Sequence, residues 1–486
     1  MSDIKKVGMI GTGSMGSMLT LLMSENGVEI SALDPNEKNL QMCMDDANKA
    51  GLGNKVKTFK EYEEFCESLP RPRIFVLSVP HGSVGDSIVD SLLPYVEKGD
   101  IVLDFSNEHY ASTHRRQALL LPRGVKFVGS GVSGGYQSAR AGPSISPGGD
   151  EDALDTLMPL LQKIAAKDKK GNPCVTKIGP GGSGHYVKMI HNGIEQGMMA
   201  ALCEAWSVMH NALGMSYQDI AKTWEEWDAQ GELSDNFLIS IGIDICRTKD
   251  PEKKQFVLDE IKDKVVQDVD ETEGTGAWTC EEGMRLHEPI PTIAAAHQSR
   301  LGSAYSSRRE KVVSALGEPL ANPTKVQGDD SFLEDVRLAV YAAFLSAFTQ
   351  GLTLCAKASN EQGWGINFAD VIDIWRAGCI IRSGAIADLI QKAYQDGGKD
   401  IMNYPVESPS ILGEFKKCYV SLKKTVGKAV EADATIPSIS ATLEYLKNIT
   451  TNEDLPTVFM EAELDYFGYH MFDLKWGDSG KPVTGD

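Results

Sequence analysis

Positive charge is what this sequence most lacks: 48 Lys and Arg face 68 Asp and Glu, a formal net charge of -20 at neutral pH. A nucleic acid or an anionic membrane surface needs a basic face to release counterions or meet lipid head groups, so neither is an expected partner. A small anionic substrate stays admissible if clustered Lys, Arg and His make a positive pocket inside the acidic shell. Cysteine patterning is also missing. The nine cysteines (Cys43, Cys66, Cys174, Cys203, Cys246, Cys280, Cys355, Cys379 and Cys418) are odd in number, scattered, and form no C-x-x-C pair. That disfavours a disulfide framework and a zinc site, and no metal is expected; a reducing compartment is the natural reading. No apolar signal core precedes the strand-like Val7-Gly8-Met9-Ile10, and no stretch reads as transmembrane, so the chain is expected to be cytoplasmic. What remains, 42% hydrophobic and 24% charged over 486 residues, is the composition of a globular protein with two or three domains.

From Val7 to Gly179 short apolar runs alternate with helix-like segments: Val7 to Ile10, Val28 to Leu33, Arg73 to Val79, Asp100 to Phe105, Val125 to Gly129 and Val175 to Ile178. That rhythm predicts an α/β domain, 1–179, built on a doubly wound parallel sheet. Gly179-Pro180-Gly181-Gly182-Ser183-Gly184 interrupts it, and helical periodicity dominates from 180 to 443, predicting a large all-α domain. That second region repeats itself. Gly214-Met215-Ser216-Tyr217-Gln218-Asp219-Ile220 with Trp224 matches Gly365-Ile366-Asn367-Phe368-Ala369-Asp370-Val371 with Trp375, and each copy follows a Gln-Gly pair, Gln196-Gly197 and Gln350-Gly351. The tail, 444–486, is too short for its own core and is expected to dock elsewhere.

Gly11-Thr12-Gly13-Ser14-Met15-Gly16 follows a strand and opens an apolar helix, the context in which G-x-G-x-x-G signals a Rossmann-like dinucleotide site. The first glycine permits the tight turn, the second lets backbone approach the pyrophosphate, and the third allows helix to pack on strand. Asp34 closes the second strand, where a carboxylate accepts from ribose hydroxyls and repels a 2′-phosphate, so NAD is favoured over NADP.

Further on, Lys188, His191, Asn192 and Glu195 fall at i, i+3, i+4 and i+7 of one helix whose other faces are apolar or small for four turns. A polar stripe on a buried helix must line a cavity. A lysine desolvated there has its pKa lowered, so it can take a hydroxyl proton while hydride leaves the same carbon for a nicotinamide. With a 3-hydroxy acid the new ketone becomes an electron sink for loss of carbon dioxide, and Glu195 can protonate the vacated carbon.

These segments, with Gly131-Val132-Ser133-Gly134-Gly135, Ala139-Arg140-Ala141-Gly142-Pro143-Ser144 and Pro147-Gly148-Gly149, resemble the 6-phosphogluconate dehydrogenase family. So do Gly274-Thr275-Gly276 with Trp278-Thr279, Trp375 to Ser383, and Asp465-Tyr466-Phe467-Gly468, collinearly over nearly the whole chain. The resemblance implies oxidative decarboxylation of a 3-hydroxy sugar acid, with Lys188 as general base and Glu195 as general acid. It also implies a homodimer whose tail threads the partner subunit. Asn107, Ser133, Gly134, Gly135, His191, Asn192 and Arg300 would hold the substrate, His470 would reach in from the other subunit, and Val79, Pro80, His81 and Asn107 would border the cofactor.

The chain also departs from the family. Asp34-Pro35-Asn36 stands where the family has an Asn-Arg-Thr grip on the 2′-phosphate, and Val79-Pro80-His81 replaces Val-Lys-Ala. At the positions that bind the substrate phosphate stand Gln196, Glu273, Arg300 and Leu464, of which only Arg300 is a strong phosphate ligand. The distal end of the substrate is therefore expected to differ. Two alternatives stay open: a non-decarboxylating β-hydroxyacid dehydrogenase acting on an unphosphorylated acid, against which the retained Glu195 argues, and a non-catalytic cofactor sensor, against which intact Lys188, Asn192 and Glu195 argue.

Overall fold

Alternating apolar runs and helices build a seven-stranded sheet in the computed structural model, which describes residues 4–265, 274–326 and 330–475. The strands are β1 (Lys6–Ile10), β2 (Glu29–Leu33), β3 (Val56–Phe59), β4 (Ile74–Leu77), β5 (Ile101–Asp104), β6 (Lys126–Ser133) and β7 (Ser144–Gly149). They lie in the order β3-β2-β1-β4-β5-β6-β7, the first six parallel and β7 antiparallel to β6. Central β4 and β5 are buried at every residue, which is why they read as unbroken apolar runs. Strand order reverses between β1 and β4, and ligands of such sheets bind outside the carboxyl ends at that switch point.

Two strand expectations are corrected. Val175 to Ile178 forms no strand, because Val175 makes only an isolated bridge to Ile145. The last position belongs to β7, whose Ser-Ile-Ser-Pro-Gly-Gly reads as a turn; Pro147 is tolerated because β7 is the final strand, where a missing N–H breaks no further ladder. β3 was not anticipated, since four residues carry too little alternation to stand out.

The helices that frame the site are α1 (Ser14–Glu25), α2 (Tyr110–Leu120), α3 (Gly135–Ala141), α4 (Ser183–Ser207), α5 (Tyr217–Ala229), α6 (Thr275–Arg285), α7 (Pro291–Ser303), α8 (Asp330–Gln362), α9 (Phe368–Ile374), α10 (Pro437–Thr450) and α11 (Thr457–Gly468). Long α4 and α8 pack along each other, and the repeated Gln-Gly pairs explain how closely. A Cβ on Gly197 would come within 3.0 Å of Ala347 Cβ, and one on Gly351 within 2.5 Å of Ile194. Each long helix then turns through a glycine in the left-handed region, Gly214 at φ 72° and Gly365 at φ 62°. Ser216 and Asn367 cap α5 and α9, which bury Trp224 or carry the chain into buried Trp375. The duplicated sequence is thus a duplicated helix-turn-helix around one close crossing.

One helix has the length of a membrane span, which the sequence reading did not notice. Ser331–Gln362 is long and apolar enough to cross a membrane, with mean hydropathy 1.5, but its apolar window is completely buried, so it is the central helix of a core. At its N-terminal end α4 presses on the sheet: a Cβ on Gly184 would lie 2.3 Å from Gly129 O and 2.4 Å from Ser146 O. The sheet and the helical core therefore share this helix. At the other end of the chain α10 runs over Pro437–Thr450, across residue 444 where the tail was expected to begin. Beyond it α11 exposes Val458, Phe459, Met460, Tyr466 and Phe467.

Candidate active site

The glycine loop has the geometry its spacing predicts. Gly11 sits at φ 91°, donates its amide to Leu33 O at 2.9 Å, and would place a Cβ 2.3 Å from Ser78 O. A Cβ on Gly16 would lie 2.0 Å from Gly11 O, so only glycine lets α1 approach the loop. Gly13 differs: its Cβ would meet nothing within 4 Å, and it begins α1 with no side-chain cap. Open space over Gly13 and the uncapped amides of Ser14, Met15 and Gly16 fit a pyrophosphate at the positive end of the helix dipole. Asp34 is spent inside this loop. Its buried carboxylate accepts from Thr12 N at 2.7 Å, Thr12 Oγ1 at 3.2 Å, Asn36 N at 2.8 Å and Asn39 Nδ2 at 3.2 Å. Among the described residues it ties the glycine turn to the end of β2 through uncharged donors only.

The loops after β4 and β5 form the opposite wall. Val79 N donates to Ser106 Oγ at 3.3 Å and Gly82 N to Glu108 Oε2 at 2.9 Å, which sets Pro80, His81 and half-buried Asn107 side by side. Arg116 of α2 clamps them from beneath, pairing with Glu108 at 2.8 Å, Asp104 at 3.1 Å and Asp86 at 2.9 Å. Trp278 of α6 meets His81 and His109 edge-on, with ring centroids 5.1 and 5.2 Å apart, and so brings the helical region onto the cofactor loops.

The chemical groups lie where β6 ends against α4. Gly131 makes the approach possible, since a Cβ there would stand 2.3 Å from Lys188 Cβ. Lys188, only 7% exposed, donates from Nζ to Ser133 Oγ at 3.0 Å and to Asn192 Oδ1 at 2.8 Å. The Asn192 amide is oriented by Thr275 at the start of α6, whose Oγ1 accepts from Asn192 Nδ2 at 2.9 Å. Glu195 continues the stripe and its side chain is 22% exposed, with Oε2 3.6 Å from His191 Nδ1. After Ser133 the chain turns through Gly134 and Gly135, both at positive φ; a Cβ on Gly135 would face open space, so this turn leaves room for a ligand beside Ser133.

His191 supports the stripe from below rather than lining it. It is fully buried, its Nδ1 lies 3.1 Å from Asn192 Oδ1, and its ring meets Trp375 at 5.8 Å. Burial first, and then the charge of Lys188, hold its pKa well below the usual histidine value, so the ring is neutral. Its Nε2 is buried with no hydrogen-bond partner among the described residues. Cys379 lies close enough to feel Lys188 and Glu195, but burial pushes its thiol up to about 12, which removes it as a competing nucleophile.

Some expected residues do not join this cluster. Arg300 lies in the last turn of α7, and His470 is exposed in the tail, its ring 6.5 Å from Phe467; among the described residues no hydrogen bond or ring contact joins either to the Lys188 stripe. Glu273 falls outside the described residues. Other functional neighbours escaped sequence reasoning. His185 fastens α4 to the sheet through Thr113 Oγ1 at 2.7 Å and Asp104 O at 3.1 Å, and Glu282 accepts from Tyr186 Oη at 3.0 Å and Arg285 Nε at 2.7 Å. The Gly-Thr-Gly and Trp-Thr pattern flagged the segment that holds Thr275 and Trp278, but nothing in it says which partners they meet.

Residues 6–179 match the model of the NAD binding domain of 6-phosphogluconate dehydrogenase, and residues 184–482 that of the 6-phosphogluconate dehydrogenase C-terminal domain. The chain is 44% identical to a decarboxylating 6-phosphogluconate dehydrogenase of Emericella nidulans, covering 97% of this chain and 98% of the relative. It is 35% identical to the NADP(+)-dependent decarboxylating enzyme of Bacillus subtilis, covering 96% of each. Among solved structures it is similar to Plasmodium falciparum 6-phosphogluconate dehydrogenase, described alone, with its cofactor NADP+ and with its substrate 6-phosphogluconate. That match has a TM-score of 0.89 at 32% identity and covers 99% of this chain and 100% of the other.

Proposed function

The chain belongs to the 6-phosphogluconate dehydrogenase family and is an NAD(P)-dependent decarboxylating dehydrogenase, and we propose that it converts 6-phosphogluconate to a ketose phosphate and carbon dioxide using Lys188 and Glu195. The observation that carries this reading is the buried, oriented stripe running from Ser133 through Lys188 and Asn192 to the opening at Glu195. The bound dinucleotide supplies the hydride acceptor. Lys188 Nζ, held by two oxygen acceptors, takes the proton of the 3-hydroxyl as the C3–H electron pair leaves as hydride. Its ammonium form then polarises the new C3 carbonyl, the C1–C2 bond breaks with release of carbon dioxide, and the electron pair moves into the enol. Glu195 delivers a proton to C2, and its exposure to the opening lets it be recharged from solvent.

Ser133, Gly134, Gly135, Asn107 and Asn192 are proposed to hold the substrate carboxylate and hydroxyls, with His191 setting the direction of Asn192. Asp34, at the end of β2 with no cationic partner among the described residues, supports acceptance of NAD alongside NADP. The exposed apolar face of α11 and of Tyr469 and Met471 supports a homodimer in which the tail docks on the partner and brings His470 to the neighbouring site. We place the protein in the cytoplasm.

The test follows absorbance at 340 nm while purified protein meets 6-phosphogluconate and gluconate, each with NAD and with NADP. Turnover of 6-phosphogluconate with stoichiometric release of carbon dioxide is expected. Turnover without carbon dioxide would reassign the chain as a non-decarboxylating dehydrogenase, and silence with both acids would refute the proposal.

A further inference from the structure

Three elements that carry site groups meet on one buried carboxylate. Glu282 stands on α6, the helix that begins with Thr275, which holds Asn192, and carries Trp278, which meets the cofactor loops. It is only 4% exposed. Its Oε1 accepts from Tyr110 Oη at 3.3 Å and Arg285 Nε at 2.7 Å, and its Oε2 accepts from Tyr186 Oη at 3.0 Å and Arg285 Nη2 at 2.9 Å. Tyr110 opens α2 shortly after Asn107, and Tyr186 stands on α4 just before Lys188. The two phenol rings meet edge to face with centroids 5.1 Å apart, and Trp364, past the end of α8, packs against both.

A carboxylate taken out of water is costly unless its oxygens are filled, and here each oxygen has one phenol and one guanidinium nitrogen. The guanidinium fork fixes the plane of the carboxylate, and Arg285 is itself held by Glu361 of α8 at 2.7 Å. With that plane fixed, Tyr110 is directed to one oxygen and Tyr186 to the other. Replacing a buried ion pair by apolar packing often costs no stability, so stability alone does not account for this one. What it fixes is the spacing of α2, α4 and α6. Residues two apart on a helix face different ways, so Tyr186 grips α4 from a side turned away from Lys188. A shift of that phenol would carry the backbone of α4, and Lys188 with it, relative to Asn107 and Thr275.

We propose that Glu282 is a positioning residue for hydride transfer, its carboxylate keying α2, α4 and α6 together so that Asn107, Lys188 and the Asn192–Thr275 pair keep one spacing. This rests on the reading of Lys188 as the base. Glu282→Gln keeps the shape but turns an amide N–H toward two of the four donors. Because a displacement near 1 Å costs on the order of 100-fold in rate, kcat for 6-phosphogluconate should fall by roughly tenfold or more in this variant. The dinucleotide Kd should stay within about threefold of wild type. The decisive readout is the deuterium isotope effect on turnover with 6-phosphogluconate labelled at C3. Misplacement slows hydride transfer until it limits turnover, so the isotope effect should rise, whereas a smaller amount of folded protein would leave it unchanged. Tyr186→Phe, which removes one hydroxyl and keeps the ring, should move kcat and the isotope effect the same way by a smaller factor. Added to Glu282→Gln it should cost little more, since both act through one contact. An unchanged isotope effect in both variants, or losses that multiply in the double variant, would overturn the role of Glu282. Hydride transfer at the wild-type rate by Lys188→Ala would instead overturn the reading on which that role rests.

Discussion

Gly131→Ala tests whether the approach of strand to helix positions the base. The added methyl would stand 2.3 Å from Lys188 Cβ, 2.5 Å from Ser146 Oγ and 2.8 Å from Lys188 Cγ. Carbon atoms in contact settle at about 3.5–4.0 Å, so β6 and α4 must part by roughly 1 Å or the lysine stem must swing aside. Gly131 is outside the left-handed region, so this collision is the whole cost. Overpacking of this kind takes about 1–3 kcal/mol from stability. The kinetic effect should be larger, because Nζ is fixed between oxygens at 3.0 and 2.8 Å and must meet the substrate hydroxyl with the same accuracy. A displacement near 1 Å costs on the order of 100-fold in rate. Steady-state assays at 340 nm should show kcat down by that factor, thermal unfolding a lowered midpoint, and titration calorimetry a cofactor Kd close to wild type, since the glycine loop lies on β1 and α1. A variant with wild-type kcat and wild-type melting would refute the claim that Gly131 sets the position of Lys188.

Gly13→Ala separates cofactor binding from folding: its Cβ meets no protein atom within 4 Å, so the melting midpoint should hold while KM for the dinucleotide rises roughly tenfold or more as the methyl enters the pyrophosphate space; unchanged KM would contradict the cradle. Burial holds His185 and His191 below the ordinary value of 6.5, so the folded protein keeps them neutral while the unfolded chain protonates them. Their contribution is complete above pH 6.5 and is lost as pH falls below it, approaching roughly 1.4 kcal/mol per pH unit for each ring, and denaturant unfolding that is flat from pH 7 to 5 would contradict this. Deleting residues 451–486 should leave a folded body, abolish the dimer in light scattering and abolish turnover; an active, dimeric truncation would exclude tail exchange.

The α/β rhythm, the glycine loop, the helical repeat and the polar stripe on α4 were legible because each rests on local spacing. The stripe was legible for a second reason: Lys188, Asn192 and Glu195 interrupt a helix that is otherwise buried all round. Less visible were features made by residues far apart in sequence. Nothing near Asp34 signals that Thr12, Asn36 and Asn39 consume its oxygens, and this needs the loop geometry to be seen. Thr275 reaches Asn192 across 83 residues, and His297 reaches Gln196 across 101. β7 was hidden by its own composition, since Pro147 and two glycines mark a turn unless the strand beside them is known.

The most direct test of the account is single-turnover hydride transfer by Lys188→Ala, measured beside its cofactor affinity. Loss of a general base costs about 10²–10⁴-fold, so hydride transfer should fall to the background of the assay while cofactor Kd stays nearly unchanged. Retention of more than about a few per cent of the wild-type rate would lie outside that range and show that another group takes the hydroxyl proton.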